Sequence, residues 1–214
     1  MASELRFTRR GWRLLRASIL LLVHSNILIS LATTGVAVST ILLAELSLAP
    51  LPLGVVFAVT LFVYSFNRLA DRSEDEQNVP ERTAFVRRYG RALLALGVVL
   101  YLAVSGAVLL RGVPGAPALA IPAVVAVLYS VVGLKRVLLV KNLMVGLSWG
   151  LIPLGVGVYY GVLRTIDILF MFAFVTAMVT IAAAVFDIKD IEGDRAEGIR
   201  TVPIVLGVER TRRL

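Results

Sequence analysis

Oxygen-rich side chains recur at helical spacing in two stretches of this sequence. The first acidic stripe consists of Asn67, Asp71 and Asp75. The second acidic stripe consists of Asp187, Asp190 and Asp194. Residues three or four apart share one face of an α-helix, so each stripe predicts oxygen ligands side by side. Mg²⁺ typically binds one or two protein carboxylates and completes its shell with water and phosphate oxygens. Two stripes that face each other therefore predict metal ions that hold a diphosphate between them.

Basic residues accompany both stripes and would neutralise the phosphate charge that the metal ions leave. They are Arg68, Arg72, Lys135, Lys189 and Arg195. A single acidic stripe in a loop is usually a solvated helix face. This sequence has two stripes, and each directly follows an apolar segment. Charged groups at the end of a membrane helix are costly, so two such stripes favour metal or phosphate binding instead. The pattern predicts a site for a substrate with a phosphorylated head and an apolar tail.

Long apolar segments carry these stripes. Hydrophobic residues make up 58% of the chain, and its mean hydropathy of +0.88 is well above that of ordinary globular proteins. A membrane-spanning helix needs about 20 apolar residues. The sequence offers six such segments, at residues 19–48, 51–70, 92–110, 119–134, 143–162 and 166–186. The predicted fold class is all-α: a polytopic transmembrane helical bundle that forms a single membrane domain over residues 1–214.

The basic residues alternate along the chain with the predicted spans. Of 22 lysines and arginines, 20 fall in four segments: the N-terminal tail and residues 67–91, 135–141 and 189–213. This alternation follows the positive-inside rule and predicts a multi-pass protein of the cell membrane, with its N-terminus and both acidic stripes in the cytoplasm. The net charge of +8 therefore reflects topology and does not indicate a nucleic-acid partner. The absence of cysteine excludes disulfides and thiolate metal sites.

Three groups of residues carry a family resemblance. Asn67-x-x-x-Asp71-x-x-x-Asp75 resembles the first Asp-rich motif of the UbiA superfamily of intramembrane prenyltransferases. Asp187-x-x-Asp190-x-x-x-Asp194, continued by Gly193, Arg195, Gly198, Arg200-Thr201, Pro203 and Leu206-Gly207, resembles its second motif. Tyr129-Ser130, Leu134-Lys135-Arg136 and Lys141-Asn142-Leu143 are similar to the connection after its fourth helix. The resemblance extends over all six predicted spans.

The resemblance implies a helical bundle with a central cavity capped by cytoplasmic loops. It implies Mg²⁺-dependent ionisation of an isoprenyl diphosphate and capture of the allylic cation by an acceptor. The protein that carries out this reaction would be embedded in the lipid bilayer. The first stripe would hold one metal ion, and Asp190 and Asp194 the other. Asp187 stands at the start of the second motif and joins this predicted metal set. Lys135 and Tyr129 would face the diphosphate as catalytic residues.

Three departures from the family pattern qualify these expectations. Residue 68 is arginine where many members carry aspartate, and residues 78–83 match the family's loop only loosely. The family bundle has nine helices, so we expect its C-terminal helices to follow Leu214. The acceptor is predicted to be aromatic or lipid, and the donor chain length stays open. The alternative function is a non-catalytic or degenerate membrane protein that binds divalent metal or a lipid diphosphate.

The fifth predicted span, residues 143–162, contains a series of glycines. They are Gly146, Gly150, Gly155, Gly157 and Gly161. Small residues at such spacing predict close contact with a neighbouring helix. Trp149 and Met144 lie in the same span and could line an isoprenoid tunnel, although packing or lipid contact is the favoured interpretation. For His24, near the start of the first span, a packing role is likewise favoured.

Overall fold

The structure, a computed structural model, describes residues 2–70, 80–130, 138, 140–196 and 198–213. Seven helices form its main body: α1 (Ala2–His24), α2 (Ile27–Leu43), α3 (Pro50–Ala70), α4 (Pro80–Leu110), α5 (Ala120–Ser130), α6 (Val140–Tyr160) and α7 (Ile166–Phe186). A 3₁₀ turn, Ala116–Leu119, precedes α5, and a second, Asp187–Asp190, follows α7. Three short helices come last: α8 (Ile191–Ala196), α9 (Val202–Leu206) and α10 (Val208–Thr211). No strand occurs in this described part of the chain, which confirms the all-α fold.

Among the described residues, four helices are long and apolar enough to cross a membrane: Pro50–Ala70, Arg82–Leu110, Val140–Tyr160 and Ile166–Ala196. A fifth span arises if the bent pair Leu14–His24 and Ile27–Leu43 counts as one. The segment predicted to span at residues 119–134 corresponds, where the structure describes it, to the shorter apolar helix Ala116–Leu128. The multi-pass architecture is thus confirmed, with four or five spans of full length among the described residues instead of six.

The first predicted span is broken. Residues 19–48 were expected to form one helix, but α1 ends at His24 and α2 begins at Ile27, with a 64° bend between them. Asn26 adopts the left-handed conformation at φ 65°, which asparagine tolerates better than most residues. Its side chain donates a hydrogen bond to Ser65 Oγ at 3.3 Å and so fastens the break to α3. Apolar content alone does not reveal such a break.

The fourth helix starts earlier than expected. The apolar run predicts a start near residue 92, whereas α4 begins at Pro80. Proline suits the first helical position because its fixed φ is compatible with a helix and its missing N–H has no partner there. The added turns are polar and carry Arg82, which faces the same cavity as the end of α3. Hydropathy identifies the apolar part of this helix but not the polar turns that precede it.

Close packing of α6 on α7 confirms the glycine prediction at three positions. A Cβ on Gly146, Gly150 or Gly157 would lie within 3 Å of atoms of neighbouring residues. At Gly155 and Gly161 nothing lies within 4 Å of such a Cβ, so the prediction is wrong there. The α6–α7 pair matters for function because α7 leads directly into the 3₁₀ turn that carries Asp187 and Asp190.

Candidate active site

A cavity of about 570 Å³ lies among α3, α5, α6 and α7. Along α6 its lining extends from Lys141 to Tyr159, a helical rise of about 27 Å. Most of the wall is apolar, with Val55, Val59 and Val63 from α3 and Ile152 from α6. The turn at residues 113–116 closes the side near Tyr159, where a Cβ on Gly115 would meet Val158 Cγ1 at 2.6 Å. The cavity is therefore long, mostly apolar and confined by helices.

The end of the cavity near Lys141 is charged. Among the described residues, its polar lining consists of Asn67, Arg68, Arg82, Lys141, Asn142, Asp187, Lys189 and Asp190. The structure thus brings Asn67 of the first stripe to the same cavity as Asp187 and Asp190 of the second. Basic side chains outnumber carboxylates in this lining, which favours an anionic ligand.

Several predicted site residues lie outside the described residues. They are Asp71, Arg72, Asp75 and Lys135. Tyr129 belongs to the last turn of α5, just after Val125 and Ala126, which line the cavity. Arg195 is exposed and does not line the cavity. Its predicted diphosphate contact therefore has no geometric support in this structure.

Lys141 joins two carboxylates of the second stripe. Its Nζ lies 3.0 Å from Asp187 Oδ1 and 3.2 Å from each carboxylate oxygen of Asp194. Asn142 Nδ2 donates to Asp187 Oδ2 at 2.8 Å. The Asp194 side chain is 0% exposed, and the residue does not line the cavity. The second stripe is thus divided. Asp190 is half-buried on the cavity, and Asp194 is buried against Lys141 away from it. Asp187 contacts Lys141 and also lines the cavity.

The helix geometry explains part of this division. The spacing of the second stripe assumed a continuous α-helix, but Asp187–Asp190 is a 3₁₀ turn and the α-helix resumes at Ile191. In a 3₁₀ turn residues i and i+3 eclipse each other, so Asp187 and Asp190 share a face. Both line the cavity accordingly.

The oxygen donors at the charged end fit a hard cation. The Asn67 amide and the Asp187 and Asp190 carboxylates supply the type of ligand that Mg²⁺ prefers. No group of three or more acidic or imidazole side chains that could hold a metal occurs among the residues that the structure describes. Mg²⁺ does not require one, because it typically takes one or two carboxylates and fills its shell with water and phosphate.

Three polar residues at the charged end of the cavity were missing from the predicted site: Arg82, Lys141 and Asn142. Asn142 is 1% exposed, and its Oδ1 has no hydrogen-bond partner among the described residues. A signal was available in the sequence, since Lys141 and Asn142 begin an apolar span, where a buried cation implies a partner. Which carboxylates serve as that partner depends on contacts between helices, which the sequence pattern does not encode.

An aromatic pair lies farther along the cavity. Trp149 Nε1 donates to the Tyr64 hydroxyl at 3.1 Å, and both residues line the cavity together with Met144. Trp149 and Met144 therefore lie on the cavity, the position that the tunnel interpretation of these residues requires. His24 does not line the cavity and packs edge-to-face on Phe85, with ring centroids 5.7 Å apart.

Comparison with known proteins gives one match. Residues 16–214 match the UbiA prenyltransferase family. Neither the curated proteins nor the solved structures provide a significant match. The matched region includes every span and both acidic stripes. The chain therefore belongs to the UbiA prenyltransferase family, a family of membrane prenyltransferases.

Proposed function

We propose that this protein transfers an isoprenyl group from an isoprenyl diphosphate to an aromatic or lipid acceptor in the membrane. The observation that carries the proposal is the form of the cavity, with a basic, oxygen-rich end joined to a long apolar body. The charged end suits the diphosphate, and the apolar body suits the isoprenoid chain. The distribution of basic residues supports a cytoplasmic location for the charged end.

We assign Mg²⁺ to the charged end. Asn67, with Asp71 and Asp75, would hold one ion, and Asp190 would hold a second. Asp187 belongs to the predicted metal set as well, but its two oxygens already contact Lys141 and Asn142. When bound, Mg²⁺ would neutralise charge on the diphosphate and make it a better leaving group. Asp194 also belongs to the predicted metal set, but its burial against Lys141 favours Asp190 as the ligand from this motif.

The basic side chains prepare the substrate for cleavage. Arg68, Arg82 and Lys189 line the charged end, where their N–H groups can donate to phosphate oxygens. Arg72 and Lys135 remain predicted contributors to the same task. The bond between the allylic carbon and the diphosphate oxygen breaks with its electrons on the diphosphate. The acceptor then forms the new bond to this carbon and loses a proton.

The apolar wall protects the allylic cation. Water would capture it as an alcohol, so a cavity that excludes water favours transfer over hydrolysis. The aromatic faces of Tyr64 and Trp149 are suited to stabilise a passing cation through their π electrons.

A transfer assay tests the proposal. We expect the purified full-length protein in lipid nanodiscs, supplied with Mg²⁺, to prenylate at least one acceptor from labelled isoprenyl diphosphates of several lengths. The acceptor panel should contain hydroxybenzoate and dihydroxynaphthoate rings and a glycerol-phosphate lipid. Product is measured by radio-chromatography, with chelator as the control. Donor binding without transfer to any acceptor would contradict the proposal and support the alternative, a non-catalytic binder of lipid diphosphate.

Trp149 should influence the fate of the cation. We expect Trp149→Ala to raise the ratio of hydrolysed donor to prenylated acceptor about tenfold, equivalent to about 1.4 kcal/mol. The reason is that loss of the ring opens the cavity to water. Trp149→Phe keeps an aromatic ring, although a smaller one, and loses the N–H donated to Tyr64, so it should have a smaller effect. Leu147→Ala is the matched control, because Leu147 lies on the same helix but does not line the cavity. An unchanged ratio in Trp149→Ala would refute this role.

A further inference from the structure

We infer that Lys141 is a positioning residue: it binds Asp187 and Asp194 through one ammonium group and thereby presents Asp190 to the charged end of the cavity. On this inference Asp194 is a buried counter-ion of Lys141 and does not bind metal. The inference deepens the proposed function, on which its metal-binding part rests. The ion bridge itself stands on geometry alone.

The contacts of Lys141 join two parts of the chain that are distant in sequence. Lys141 lies in the first turn of α6, whereas Asp187 and Asp194 flank the junction of the 3₁₀ turn with α8. An ammonium group has three N–H donors, and three carboxylate oxygens lie 3.0–3.2 Å from Nζ. The bridge therefore uses the full donor capacity of Lys141.

Further contacts hold the Asp187 carboxylate and the Asp194 backbone. Asp187 Oδ2 accepts the 2.8 Å hydrogen bond from Asn142 Nδ2, so the residue is held by two neighbours on α6. The backbone carbonyl of Asp194 accepts a 2.8 Å hydrogen bond from the Ile199 N–H, which ties the end of α8 to the following loop. With both flanking carboxylates anchored, the intervening turn has little freedom. Asp190, on that turn, is directed to the cavity.

Burial separates the roles of the two candidate ligands. The Asp194 side chain is 0% exposed, and both its oxygens contact the ammonium group. A metal ion there would have to displace the Lys141 ammonium group from both carboxylate oxygens. Asp190 is half-buried and lines the cavity with Asn67 and Asp187, where phosphate and water have access. Geometry thus favours Asp190 as the metal-binding carboxylate.

Charge rescue in the absence of Mg²⁺ tests the bridge. Lys141→Met removes the ammonium group that both buried carboxylates contact, so the unfolding temperature of the protein in nanodiscs should fall by about 10 °C. Lys141→Met/Asp194→Asn removes one of these charges and should regain at least half of the loss. Lys141→Arg keeps the cation and should lie between wild type and Lys141→Met.

Two results would overturn the bridge. One is a Lys141→Met unfolding temperature equal to that of wild type. The other is a double variant no more stable than Lys141→Met. If Lys141→Met yields no folded protein, the double variant must yield folded protein for the inference to stand.

Stabilisation by Mg²⁺ with inorganic pyrophosphate tests the division of roles. The rise in unfolding temperature is measured against Mg²⁺ concentration for wild type, Asp190→Asn and Asp194→Asn. Asp190→Asn should abolish the rise. Asp194→Asn should retain it, with a midpoint raised by no more than about tenfold, as expected for a residue one step removed from the metal.

An Asp194→Asn variant that loses the response as fully as Asp190→Asn would show that Asp194 is itself a ligand. A wild-type protein without any response would contradict the proposed function instead. In that case the metal-free rescue still decides whether Lys141 forms the bridge. The experiments can therefore contradict the Lys141 bridge without contradicting the proposed function, and the reverse.

Discussion

Replacing Asp190 with asparagine is expected to lower prenyl transfer by about 10²–10³-fold, the effect typical of losing one charged group that stabilises a transition state. Asparagine has nearly the same shape, so the 3₁₀ turn and its packing should persist. What is lost is one negative charge at the charged end of the cavity. The measurement is kcat and KM for the donor over a range of Mg²⁺ concentrations, with a lower kcat even at saturation.

Glu192→Gln provides the matched control for this variant. Glu192 lies two residues further along, carries the same charge type and is exposed, and it does not line the cavity. Its activity should stay within about twofold of wild type, as for most surface substitutions. We expect Asp71→Asn in the first stripe to match the loss in Asp190→Asn. Wild-type turnover by Asp190→Asn would exclude a role for this carboxylate in the reaction.

The location of the site could be predicted because its main signals are local. An apolar run long enough to cross a bilayer defines a helix without any tertiary information. Asn67 directly precedes the end of one such helix, and Asp187 directly follows another. In the six-span prediction the second and sixth spans end on the same side of the membrane, so Asn67 and Asp187 are expected at the same level of the bundle.

The internal arrangement of the second stripe could not be predicted in this way. The spacing of Asp187, Asp190 and Asp194 fits one face of an α-helix, but a 3₁₀ turn occupies the first part of the segment. The partner that divides the stripe, Lys141, lies in another helix, and no periodicity encodes that contact. Likewise, the break at Asn26 depends on a hydrogen bond to Ser65 across the bundle.

The α6–α7 contact should be highly sensitive to added volume at Gly146. A Cβ there would lie 2.0 Å from Thr180 Oγ1 and 2.6 Å from the Thr176 backbone oxygen. The hydroxyl can rotate away, but the carbonyl belongs to the α7 backbone, so the two helices must separate. We expect Gly146→Ala to cost about 3 kcal/mol, the upper part of the range for overpacking. Thermal unfolding in nanodiscs, read by intrinsic fluorescence, measures the loss.

Gly155→Ala is the control, because nothing lies within 4 Å of a Cβ at this position on the same helix. Alanine is the better helix former by about 1 kcal/mol, so this variant should be neutral or slightly more stable. Gly146→Ala/Thr180→Ala removes the hydroxyl clash and leaves the carbonyl clash, and should recover only part of the loss. Full recovery would mean that the hydroxyl alone limits the approach. Since α7 carries Asp187 and Asp190 at its end, Gly146→Ala should also lower kcat even at temperatures where the protein remains folded.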